Sequence, residues 1–122
     1  MTAIVARSTA ADLAMAYLYD PLREYVTSDC VRLELLPKST YNQRAEETEF
    51  YNRFFASSLR VPLSDAVIEL AINEGCKTGI TGMDALHIAC AISVDAAEFI
   101  TTEKPTKPMH RTTLIKVICI DP

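Results

Sequence analysis

Three carboxylates stand in settings that suit metal chemistry: Glu34 in VRLELLPK, Asp84 in GMDALHIACAI and Glu103 in TTEKPTKP. Oxygen donors without a CxxC pair or paired histidines favour magnesium or manganese over zinc. A carboxylate cluster holding such an ion can activate water and stabilise charge at an in-line phosphoryl displacement. Lys104, Lys107 and Arg111 follow Glu103 closely, with His110 among them, and could neutralise phosphates. The chemistry within reach is metal-assisted phosphodiester hydrolysis.

Each residue also has a plainer reading. Glu34 stands four residues before Lys38, the spacing of a surface ion pair. Leu33, Leu35 and Leu36 around it instead suggest a partly buried helix, where a carboxylate needs a cation or a donor. Asp84 follows Thr81 by three residues, as in a capping box. His87, on an apolar helix, reads as a packed core histidine. Glu103 reads as a solvated loop acid, and the basic residues after it as a solubility feature.

Positioning these groups requires a fold that brings distant segments to one edge. Thr9 to Asp20 reads as a helix capped by Thr9 and stopped by Pro21. Glu24 to Ser28 reads as a strand, and Asp29 then caps a short helix ending near Pro37. Glu46 to Ser58 reads as an amphipathic helix with Phe50, Phe54 and Phe55 on its buried side. A brief strand at Arg60 to Pro62 precedes a helix capped by Ser64, with Val67, Ile68, Ala71 and Ile72 as its apolar stripe and Gly75 and Gly79 ending it. Thr81 opens another helix, running to about Val94 and apolar on nearly every side. Ala97 to Thr101 and Leu114 to Ile120 read as the last strands. Short apolar strands alternating with helices indicate a parallel sheet covered on both faces. In such sheets functional groups gather where strands end and helices begin, which is where all three acids fall.

The 122 residues make one domain, 1–122. A net charge of −4 argues against a general nucleic-acid coat protein but leaves room for a basic lip beside an acidic pocket. Cys30, Cys76, Cys90 and Cys119 are too scattered to suggest a zinc site or a disulfide framework. With no membrane-length apolar run and no secretory pattern at the N-terminus, the expected location is the cytoplasm.

In order and spacing, SDCVRLELLPK, GMDALHIACAI and AEFITTEKPTKP resemble PIN domains, including the VapC-type toxin ribonucleases, over about Ile4 to Ile120. The resemblance implies a three-layer α/β/α sandwich with a parallel sheet, and an acidic pocket that binds Mg2+ or Mn2+ to cleave RNA. By position, Glu34, Asp84 and Glu103 match metal-binding and catalytic acids of the family, though aspartate is commoner at the place of Glu103. An antitoxin-like protein partner and a homodimer also fit the family. The family's first acid ends its first strand, in a pattern like L-D-x-N-V-L-I. TAIVARST resembles the stretch after that aspartate, so the domain is expected to be N-terminally truncated relative to the family, with its first central strand missing. Ile4 and Val5 offer at best a makeshift strand. Two functions follow: a metal-dependent ribonuclease impaired by the absent aspartate, or a non-catalytic PIN-like remnant that binds RNA or protein. An unrelated α/β interaction domain, its acids serving as caps and surface pairs, is the third.

Overall fold

The computed structural model describes residues 2–6, 24–101 and 104–119, the first segment as backbone. The helix expected at Thr9–Asp20 lies outside the described residues, and so does Glu103. In chain order the elements are β1 (Thr2–Ala6), β2 (Glu24–Ser28), α1 (Asp29–Tyr41), α2 (Ala45–Ser57), β3 (Leu59–Val61), α3 (Asp65–Thr78), α4 (Gly82–Ser93), β4 (Glu98–Thr101) and β5 (Lys116–Cys119). A 3-10 turn, Pro108–Arg111, interrupts the connection before β5.

The strands form a parallel sheet in the order β3-β2-β1-β4-β5. Its centre is therefore filled, and the expectation of a missing central strand is corrected. Ile4 stands in register with Val26 on one side and Phe99 on the other, and Ala6 with Thr101. The physical reason lies in the run Ala3-Ile4-Val5-Ala6, short but unbroken and β-branched at its centre, as suits an interior parallel strand. Without it, β2 and β4 would each lose a ladder of backbone partners.

Side chains alternate across the sheet and define two cores. Val26, Phe99 and Val117 pack with Ile88, Ala89 and Ala91 of α4 and with Val67 and Ala71 of α3. Tyr25, Ile100 and Ile118 pack on the opposite side with Tyr51 and Phe54 of α2. The result is the expected α/β/α sandwich.

Several local expectations shift. The cap of α1 is Ser28, whose hydroxyl accepts from the Val31 amide at 3.3 Å, so Asp29 is the first helical residue. Pro37 does not stop α1, although it withdraws one backbone donor. The last turn is held from outside, by Thr48 Oγ1 donating to the buried Ser39 Oγ at 2.8 Å. On α3 the apolar stripe splits: Val67 and Ala71 are buried, whereas Ile68 and Ile72 are exposed. Glu74 is buried in their place, its Oε2 accepting from Thr112 Oγ1 at 3.1 Å. Gly79 ends α3 in the left-handed conformation (φ 80°), and its amide donates to the Gly75 carbonyl at 2.8 Å. Gly75 itself has no room for a side chain, since a Cβ there would lie 2.5 Å from the Ile80 carbonyl oxygen. No helix among the described residues is long and apolar enough to cross a membrane.

Candidate functional site

In a parallel sheet the helix after one strand begins at the C-terminal edge, and the helix before the next strand starts from that same edge. This connectivity places Glu34, in the second turn of α1, and Asp84, in the first turn of α4, toward one rim. The link between them is His87. It lies three residues after Asp84, on the same face of α4, and its Nε2 is 3.2 Å from Glu34 Oε1. His87 is fully buried, while the Glu34 side chain keeps 22% of its surface in solvent.

The His87–Glu34 contact is close but lacks hydrogen-bond geometry, and His87 Nδ1 has no partner among the described residues. A buried imidazole with poorly satisfied nitrogens typically costs about 1–3 kcal/mol per group. His87 is thus the expected core histidine, with Nε2 set close to Glu34 at the candidate site. The sequence offered a partial signal in its one-turn spacing from Asp84; its contact with Glu34 is tertiary.

Asp84 Oδ1 is buried at the start of α4, where the helix dipole favours an anion. Thr81 is the N-cap, yet its side chain makes no capping hydrogen bond, so its half of the expected capping box is not formed. Two carboxylates approaching one rim suit a hard divalent ion by donor chemistry. Among the described residues, no group of three His, Cys, Asp or Glu side chains converges to hold a metal. The C-terminal residue of β1, beside Thr101, is Ala6, which brings no carboxylate.

The proposed phosphate-binding residues divide. Lys104 and Lys107 are exposed. Arg111 is also exposed, but its Nη1 donates to the Thr78 carbonyl at 3.1 Å and thereby caps α3.

A second charged group lies at the same sheet edge and was not anticipated. Arg60 on β3 donates from Nε and Nη2 to the two Asp29 oxygens, at 2.8 and 2.9 Å. Arg32 adds a 3.4 Å contact. The Arg60 hydrogen bonds hold the Asp29 carboxyl below the usual carboxylate range, and desolvation only partly opposes them. Asp29 in turn raises Arg60. Asp29 and Arg60 are 31 residues apart, so no local spacing reveals the pair.

Between α1 and α4, Cys30 and Cys90 are buried near each other and near Ser28. Burial pushes both thiols up, Cys90 to about 12.

No family model matches the sequence, and no curated protein matches it significantly. The fold does match solved structures. VapBC2 from Rickettsia felis, bound to a DNA fragment from its promoter, superposes with a TM-score of 0.71 at 13% identity, covering 98% of each chain. A toxin-antitoxin complex from Klebsiella pneumoniae gives 0.69 at 13% identity over 97% of each chain. VapBC-1 from nontypeable Haemophilus influenzae gives 0.68 at 16% identity over the full length of both. At such identities the likeness is one of fold: the chain has a VapC-like, PIN-like architecture from end to end.

Proposed function

We propose that the protein is a VapC-type, divalent-metal-dependent ribonuclease with an acid-poor centre and correspondingly weak turnover. The observation that carries this reading is the 3.2 Å approach of Glu34 Oε1 to His87 Nε2, one turn beyond Asp84 on the helix that starts at the same sheet edge. Glu34, Asp84 and Glu103 are the proposed ligands of Mg2+ or Mn2+. When bound, the ion supplies an activated water and charge stabilisation at the scissile phosphate. The protein's own groups then have distinct tasks. Asp84, at the start of α4, would present a carboxylate to the ion; Glu34, partly buried, would reach it from the α1 side; His87, 3.2 Å from Glu34 Oε1, limits how Glu34 can turn. Lys104 and Lys107 approach the RNA backbone, with Arg111 contributing the donors it does not give to Thr78.

The end of β1 explains the weakness. Ala6, in register with Thr101, brings no carboxylate to the centre, so the site relies on fewer acidic ligands and a two-ion arrangement is hard to fill. The same feature favours a second reading, a non-catalytic PIN-like protein that binds RNA or a protein partner. Because the structural neighbours are toxin-antitoxin complexes, an antitoxin-like protein is the proposed partner. A homodimer and a cytoplasmic location belong to the same proposal.

The deciding experiment is incubation of a mixed RNA pool with the purified protein and Mg2+ or Mn2+. Cleavage that requires the ion and disappears in Asp84→Asn supports the ribonuclease. RNA left intact at high enzyme concentration supports the non-catalytic reading.

A further inference from the structure

A cleft of about 250 Å³ opens between α1, α2 and β3, lined by Thr27, Arg32, Asn52, Phe55, Ala56 and Arg60. It belongs to the face of the sheet opposite α4, because Thr27 shares its side of β2 with Tyr25, which packs on α2. Thr27 directly precedes Ser28, the cap of the helix that carries Glu34, so cleft and candidate centre flank the same strand end.

The lining has a specific chemical make-up. Arg60 spends two of its five N–H donors on Asp29 and Arg32 makes one long contact there, so two guanidinium groups surround one carboxylate with donors and positive charge left over. Phe55 is half-buried and offers an aromatic surface. Asn52 is exposed and makes no side-chain hydrogen bond among the described residues. The decisive observation is Thr27: its side chain is 1% exposed, and Oγ1 has no hydrogen-bond partner among the described residues. A buried hydroxyl without a partner costs about 1–3 kcal/mol, and a ligand group in the cleft would relieve that cost.

We infer that this cleft binds one nucleotide of a single-stranded RNA, with the phosphate on Arg32 and Arg60 and the base beside Phe55, within reach of Asn52 and Thr27. Guanidinium forks suit phosphate oxygens, and extruded bases stack on aromatic rings while amides and hydroxyls read their edges. The volume holds roughly eight waters at ~30 Å³ each, enough for one base and too little for a base pair. The inference rests on the ribonuclease reading for its substrate class and deepens it by giving the RNA a second point of attachment.

The test is an amide NMR titration of the intact 15N-labelled protein, without divalent metal, using AMP, UMP, adenosine, uridine and inorganic phosphate in turn. The expected result is that the monophosphates shift Thr27, Asn52, Phe55 and Arg60 and bind at least ~10-fold more tightly than phosphate or nucleoside alone. Asn52→Ala, at an exposed position that tolerates truncation, should reduce that advantage, and Arg60→Gln should weaken phosphate and monophosphate alike. Equal binding of monophosphate and inorganic phosphate, or shifts confined to other surfaces, would overturn the inference. The two readings fail separately. Monophosphate binding at the cleft with an uncleaved RNA pool upholds the cleft and removes the ribonuclease; metal-dependent cleavage without monophosphate binding at the cleft removes the cleft alone.

Discussion

His87 Nε2 lies 3.2 Å from Glu34 Oε1, joining the buried core of α4 to a carboxylate that α1 holds partly in solvent. On the proposed ribonuclease reading, this pair sets how freely Glu34 can turn toward a metal ion. Truncating the imidazole opens a cavity among fully packed neighbours, so His87→Ala is expected to lower stability by about 2–4 kcal/mol in urea unfolding. His87→Gln, which keeps a polar group near Glu34, should recover part of that loss and retain metal affinity closer to the parent. Equal stability of the parent and His87→Ala would contradict the packing role.

The same substitution at two buried threonines should have opposite signs. Thr112 Oγ1 donates to the buried Glu74 carboxylate at 3.1 Å, so Thr112→Val strands that acid and should cost about 1–3 kcal/mol. Thr27 Oγ1 has no such partner, so Thr27→Val should leave stability unchanged or raise it by up to about 1 kcal/mol. Thermal melts of the two variants side by side provide the check.

Asp29 makes acid stability depend on Arg60. Its folded-state pKa is lowered, chiefly by the Arg60 hydrogen bonds, so the carboxylate's contribution is complete above the unfolded value of 3.8 and fades as pH falls through the still lower folded value. Melting temperatures of the parent and Asp29→Asn should therefore differ most near neutral pH and converge below the ordinary carboxylate range. The pair is largely solvent-exposed, so the difference should be small and should shrink with added salt.

Thiol reactivity should divide by burial. Cys76 is exposed, whereas Cys30 and Cys90 are buried with raised pKa values, that of Cys90 about 12. A thiol-specific reagent at pH 8 should label Cys76 promptly and reach Cys30 and Cys90 only on unfolding. Rapid labelling of Cys90 in the native protein, followed by mass spectrometry, would show that α1 and α4 do not pack as described.

Much of this arrangement was legible in the residues. The strand EYVTS, the Ser64 and Thr81 helix starts and the apolar helix after Thr81 each carry a local signal of period or capping, and the fold follows from their order. What escaped depends on distant partners. β1 has only five residues, and nothing local in TAIVA reveals that two neighbouring strands will enclose it. Pro37 reads as a stop, but the Thr48–Ser39 bond from α2 overrides it. Ile68 and Ile72 follow helical spacing yet face outward, because Glu74 and Thr112 form a buried polar contact on the inward side. Of the proposed site, the places of Asp84 at a helix start and of Glu34 after a strand end were legible in the sequence. The His87–Glu34 and Arg60–Asp29 contacts were not, since each joins side chains far apart in sequence.

The central claim, that Glu34 and Asp84 hold a hard divalent ion, is tested most directly by calorimetric titration of Mn2+ into the parent, Glu34→Gln and Asp84→Asn. Both variants keep side-chain shape, and circular dichroism and thermal melts of all three proteins confirm beforehand that the partly buried Glu34→Gln and the buried-oxygen Asp84→Asn remain folded. The account predicts saturable binding to the parent and at least ~10-fold weaker binding to each variant. Mn2+ affinity unchanged by either substitution, or absent from the parent, would contradict it.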